Sequence, residues 1–324
     1  MSTDTNVSVR YPSTATPHQV TASQATSAGQ IPVVAALPVQ QTGGAARFGA
    51  LPRPARFVLR RPGLLLSVAL LAVVVLAAFA PSVLAPGDPL TGDTTQKLLA
   101  PSTQHWFGTD HLGRDLFTRM VHGTALSMRT ALLAVTIAAV VGGLFGLTAG
   151  FVGGWVDNAV MRVVDVLMAV PSLLLSLALI AALGFGSTNV AIAVAIGSIA
   201  GFARIARSQT LRVSQATYVE AARSLGSRWH VTLRRHILPN ASGPILALAV
   251  LEFGTAILAV SALSFLGYGA PRPAPEWGAL VSEGRNFLAT AGWLTMLPGL
   301  TIAATVLAVN RVSKALDGEW RTFR

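Results

Sequence analysis

Two carboxylates stand inside otherwise uncharged apolar stretches, Asp165 and Glu252. An ionised side chain at bilayer depth costs about 3 kcal/mol or more, so it faces a cavity or a partner. Arg162 lies three residues before Asp165 on the same helix face, and the sequence reads this as a structural ion pair. Glu252 has no such partner on its own helix; a contact along a pathway and a bond to a partner chain both account for it. His105, His111 and His122 share one polar region, but their spacing is loose and no carboxylate–histidine pattern repeats, so no metal site is expected. With no cysteine, disulfides, thiolate chemistry and cysteine-ligated metal are ruled out. Neither His-Glu-x-x-His, nor a Ser/His/Asp grouping, nor a Gly-x4-Gly-Lys-Ser/Thr phosphate loop occurs. No catalytic residue is assigned: the chain does not read as an enzyme and is not expected to hydrolyse ATP itself.

One polar segment has the chemistry of docking. Glu220-Ala221-Ala222-Arg223-Ser224-Leu225-Gly226 is followed, nine residues on, by His236-Ile237-Leu238-Pro239-Asn240. Residues 216–225 are good helix formers with small residues on one face, where another protein can approach closely. Gly226 follows, where a left-handed cap is cheap only for glycine. Residues 227–238 form an Arg-rich amphipathic stretch that Pro239 is expected to end.

The elements that carry these residues follow from composition. The 324 residues are 52% hydrophobic and 11% charged, against about 25% charged in soluble domains. Apolar runs long enough to cross about 30 Å of hydrocarbon fall at 63–80, 130–152, 160–183, 189–205, 242–267 and 292–310. Turn formers at 184–189 separate the third from the fourth, and Pro171 is expected to kink the third. Gly142, Gly143 and Gly146 suit close helix packing. Six helical spans exclude an outer-membrane barrel. Arginines 204, 207, 212, 223, 228, 234 and 235 face one acid, Glu220, which orients that loop and both termini to the cytoplasm. Segments 81–125, 184–188 and 268–291 then lie outside. The net charge of +11 reads as cytoplasmic loops and a face toward anionic lipid rather than nucleic-acid binding. Residues 1–46, poor in charge and in large apolar groups, read as a disordered tail. Residues 47–125 hold a basic flank, the first span and an outward segment; 126–310 form a five-span core containing the loop 207–240; 311–324 form a cytoplasmic tail.

The Glu220–Gly226 pattern resembles the E-A-A-x-x-x-G loop of permease subunits of binding-protein-dependent ABC importers. His105–Asp115 (HWFGTDHLGRD), Asp165–Pro171 (DVLMAVP), Leu263–Gly269 (LSFLGYG) and Pro275–Gly278 (PEWG) resemble the dipeptide/oligopeptide/nickel subfamily, and the first span with its basic flank resembles its C-type permease. The sequence departs from that subfamily at Val260, where an acid is usual; Glu252 lies eight residues earlier. The resemblance implies an all-α polytopic membrane protein of six transmembrane helices with the type I ABC importer permease fold. It implies that Tyr218, Glu220, Ala221, Ala222, Gly226 and Pro239 belong to the ATPase-coupling loop. It also implies a heterodimer with a second permease, two ATPase subunits or one fused ATPase that bind ATP and Mg, and an extracytoplasmic solute-binding protein. This chain itself takes no cofactor. Peptides are the implied cargo, with nickel, glycosides or haem as alternatives. A channel would need a ring of charges or a filter loop, and a membrane enzyme would need clustered ionisable groups. Neither pattern is present.

Overall fold

The computed structural model describes residues 62–322, with side chains to residue 315. The expected tail over 1–46 and the basic flank up to Arg61 lie outside the described residues. Among the described residues the chain is helical, with one isolated bridge between Thr109 and Asp115. Helix α1 is Pro62–Phe79 and α2 is the short turn Pro81–Leu84. A polar segment then leads to α3, Leu116–Val152, whose first turn is capped by Asp115 accepting from the Thr118 amide at 2.7 Å. With 37 residues, α3 is about 55 Å long and overhangs a ~30 Å hydrocarbon layer at both ends. It therefore begins well before residue 130.

The expected third span is not one helix. Gly154–Ala169 (α4) and Ser172–Leu183 (α5) meet at 94°. Pro171 disfavours helix in the residue before it, and Val170 is extended (φ −99°, ψ 129°). The apolar run was legible; the break goes far beyond a kink because α4 and α5 pack on different parts of the next helix. That helix, α6, is Ser187–Ser214. Thr217–Ser224 (α7), Trp229–Thr232 (α8) and a π-turn at Leu233–Ile237 follow, and the π-turn runs without a break into α9, Leu238–Phe265. Pro239 thus opens α9 instead of ending the preceding helix: in the first turn its missing N–H is not needed, and the wide turn, with Leu238 N–H donating to the Leu233 carbonyl, accommodates it. Trp277–Gly284 (α10) and Trp293–Thr322 (α11) complete the described residues; residues 311–322 continue the last helix. Among the described residues five helices are long and apolar enough to cross a membrane, or six spans if α4 and α5 count as one.

The centre of the bundle is α3 against α6. Gly142, Gly146 and Gly150 meet the backbone carbonyls of Ile199, Ala203 and Arg207, where a Cβ has no room. Glycines four apart bring two helix backbones together in lipid, where packing must replace the hydrophobic drive. Gly143 points into open space, so its expected packing role is not found; Gly150 takes that place. Leu66, Val75 and Phe79 of α1 are exposed (70, 55 and 84%), as on a lipid-facing surface.

Candidate functional site

The first half of the loop after α6 is a helix that ends at Gly226, as its sequence predicts. This helix, α7, ends in a Schellman arrangement: Gly226 N–H donates to the Arg223 carbonyl at 2.9 Å and Ser227 N–H to Ala222 at 3.0 Å. Gly226 has φ +80°, the left-handed region that L side chains avoid, and nothing within 4 Å of where a Cβ would stand. Tyr218, Glu220, Ala221, Gly226 and Pro239 are exposed, and Ala222 is half-buried. Leu225 at 89% exposure and Trp229 at 67% give this polar loop two uncovered apolar side chains.

What fixes the loop to the bundle was not singled out from sequence. Val219 of α7 and Ile237 of the π-turn are each fully buried, packed with Val213 and with Leu147 and Phe151 of α3. Arg223 lies over the Phe151 ring at 5.8 Å. The signal was available as apolar spacing, Ala216 to Val219 and Leu233 to Ile237, on a loop whose charge drew attention first. These contacts tie α7 to α3 and α6, and α8 runs without a break into α9.

The acids of α4 are held by α6. Asp165 Oδ1 accepts from Arg204 Nη2 at 2.9 Å, with both side chains more than half exposed; the expected pair with Arg162 does not form. Arg204, 39 residues away in sequence, is brought alongside by the packing of α4 on α6. About two helix turns earlier, Asp157 receives both Nε and Nη2 of Arg207 at 2.5 and 2.6 Å, a two-pronged carboxylate contact.

Glu252 faces an open cavity of about 520 Å³ between α5, α6 and α9, lined among others by Ser172, Ser176, Gly197, Ser198, Gly201 and Thr255. Thr255 Oγ1 donates to Glu252 Oε2 at 2.9 Å and Ser198 Oγ reaches the same oxygen at 3.5 Å. Glu252 therefore has a partner on its own helix, a neutral one. Val260 is 1% exposed and packed in the core, so Glu252 does not substitute for an acid there: eight residues turn the helix by about 80°.

At the opposite end of α3, a buried four-charge cluster joins the polar segment to α10. Asp110 Oδ2 accepts from Arg114 Nε at 2.7 Å and Arg119 Nη1 at 2.9 Å; Arg119 Nη1 also donates to Glu283 Oε2 at 2.7 Å. Burial pushes the Asp110 carboxyl up, but the amides of Arg114 and Leu112 and the Arg114 guanidinium outweigh it and hold it below the usual carboxylate range. Trp277, 1% exposed, donates Nε1–H to the Met120 carbonyl at 3.1 Å. His105 bonds Asp115 at 2.8 Å and Gln96 at 2.9 Å, within the segment. Two positive and two negative charges balance, which suits a structural clamp.

Residues 142–321 match the family described as the binding-protein-dependent transport system inner membrane component. Over 243 residues the chain is 40% identical to the dipeptide transport system permease protein of Alkalihalophilus pseudofirmus, covering 75% of this chain and 80% of that one. Over 216 residues it is 43% identical to the glutathione transport system permease protein of Pectobacterium atrosepticum, covering 67% and 72%. Its fold is similar to that of an amino acid ABC transporter crystallised with histidines, at a TM-score of 0.50 and 19% identity, over 62% of this chain and 94% of that one.

Proposed function

The chain belongs to the family of binding-protein-dependent transport system inner membrane components and is a multi-pass permease subunit of an ABC importer; from that premise we propose that it carries di- or oligopeptides and is driven through the segment 217–237. The names of the relatives, one for dipeptide and one for glutathione transport, support a peptide cargo. In this reading the chain forms half of the path, paired with a related permease. Two ATPase subunits, separate or fused, bind ATP and Mg below it, and a solute-binding protein delivers cargo from outside. The Arg excess of the loop supports a cytoplasmic position for that loop and for both termini. The chain makes and breaks no covalent bond.

The observation that carries the coupling role is the exposed helix–glycine–helix segment anchored at Val219 and Ile237. ATP closes the ATPase pair, and the docked loop moves with it. The anchors transmit that movement to α3 and α6, and the unbroken path from α8 into α9 moves a cavity wall. The bundle rocks between outward and inward openings, and hydrolysis resets it.

The test uses the complex reconstituted in lipid. Ala222→Leu overpacks the small-residue face of α7, costing about 1–3 kcal/mol, Gly226→Val strains the left-handed cap, and Glu220→Lys adds like charge to a basic loop. Each variant is expected to insert normally, lose uptake and lose the stimulation of ATP hydrolysis by loaded binding protein. Normal stimulated hydrolysis and uptake in all three would remove the coupling role from this loop.

A further inference from the structure

Among the described residues the acids of the apolar helices divide sharply. Asp157 and Asp165 are each paired with an arginine of α6, whereas Glu252 has no cation within 4 Å. Both hydroxyls that reach the Glu252 carboxylate land on Oε2, the Thr255 hydroxyl being shared with the Glu252 backbone carbonyl, and Oε1 accepts no hydrogen bond from the described residues. The surrounding wall is small, with Gly197, Gly201 and Ala259, and Leu173 and Leu258 supply apolar surface beside the carboxylate. A volume of about 520 Å³ lies within the roughly 300–1,000 Å³ of small-molecule sites.

We infer that Glu252, with Ser198 and Thr255, is a transit subsite for the cationic group of the cargo, the α-ammonium of a peptide, with the neighbouring apolar wall taking a side chain. This deepens the peptide-permease reading and rests on it. A fixed carboxylate between low-dielectric walls attracts a cation more strongly than the same charge in water. The hydroxyl oxygens supply further acceptors. One charge in an open cavity makes the site shallow, which a path requires if cargo is to leave it. A cation from the partner permease would satisfy the same carboxylate, and the charge preference of labelling at the cavity wall separates that arrangement from a cargo subsite.

The chain has no cysteine, and Gly201 lines the cavity with open space at its Cβ position, so Gly201→Cys is a reporter that disturbs little. The whole complex, its other subunits freed of cysteine, is placed in nanodiscs and labelled with trimethylammonium-ethyl or sulfonato-ethyl methanethiosulfonate. The expected result is a cationic-to-anionic rate ratio about tenfold above that of a free thiol, falling to the free-thiol ratio when Glu252→Gln is added. Ala-Ala is expected to slow cationic labelling, and N-acetyl-Ala-Ala is not. Loss of Ala-Ala uptake by about tenfold in Glu252→Gln, with binding-protein-stimulated hydrolysis retained, completes the pattern. A ratio without charge preference overturns the proposal. So does a ratio near that of the free thiol that turns toward the anionic reagent in Glu252→Gln, since that result assigns Glu252 to a cation of the partner permease. Absence of stimulated hydrolysis in the wild-type complex counts against the coupling reading instead.

Discussion

Gly226 separates two reasons for a glycine. Its φ of +80° requires the left-handed region, and the space around it is open, so side-chain size is not the constraint. Gly226→Asn is therefore expected to retain most coupled hydrolysis, because asparagine tolerates that region. Gly226→Ala is expected to cost about 1–2 kcal/mol in the cap, and Gly226→Val more. If the three variants rank by volume, with asparagine worse than alanine, the cap account is wrong and a docking surface limits the site. Asp110 makes a prediction in pH. Its folded carboxyl is held below its ordinary value, so its contribution to stability is fully present above about pH 4 and is lost as pH falls through the lower folded value. Hydrogen exchange of amides 108–115 is expected to be insensitive to this group between pH 5 and 8, once the intrinsic rate is removed. Protection is expected to collapse on acidification below 4. Asp110→Asn should weaken the segment at neutral pH and flatten the acid limb.

Among the elements, the pair α3 and α6 depends on a glycine face. Gly146 meets the Ala203 carbonyl and the Ala206 Cβ, while its near neighbour Gly143 meets nothing. Gly146→Leu is expected to lower stability by about 3 kcal/mol or more, since backbones must separate. Gly143→Leu is expected to stay within about 0.5 kcal/mol of wild type. Thermal unfolding of the detergent-solubilised complex distinguishes them, and equal shifts would mean that the helices do not cross on that face. The clamp at the other end of α3 behaves differently. Arg119, 1% exposed, is shared by Asp110 and Glu283, so Glu283→Ala leaves positive charge buried with one acid. A loss of about 3–5 kcal/mol is expected, with the hydrogen-exchange change concentrated in 105–119 and 277–284.

For the whole molecule the topology is the property to test. The native chain lacks cysteine, so single substitutions report on sidedness without background. In intact cells a cysteine placed by Ser227→Cys is expected to resist an impermeant thiol reagent, and one placed by Thr103→Cys to react. Both positions are partly or fully exposed, so burial does not confuse the result. The reverse labelling would invert every functional assignment of the two ends. The broken third span adds a second point: α4 and α5 meet at 94°, so the chain between α3 and α6 changes direction within the bundle. The cavity that holds Glu252 draws on this turn, because α5 and the end of α4 supply Ser172, Ser176 and Met168 to its wall.

Local chemistry was enough to determine much of this protein. Uninterrupted apolar runs identify helices of membrane length because the bilayer leaves the backbone no other partner. The helix former run ending at Gly226 identifies α7 and its cap because a left-handed residue is a one-residue property. Partners across helices are another matter, since they depend on which faces meet. Arg162 and Asp165 share a helix face, yet Arg204 takes the acid because α6 passes alongside α4. Pro239 reads as a stop in sequence, but the π-turn before it lets one helix run on into α9. Arg119 and Glu283, 164 residues apart, and Val219 with Ile237 beneath the loop, are joined only by the packing of α3 against its neighbours. Periodicity names the buried face of a helix; the energy of an ion pair or a cavity wall depends on what a distant segment brings to that face, and only the tertiary structure decides it.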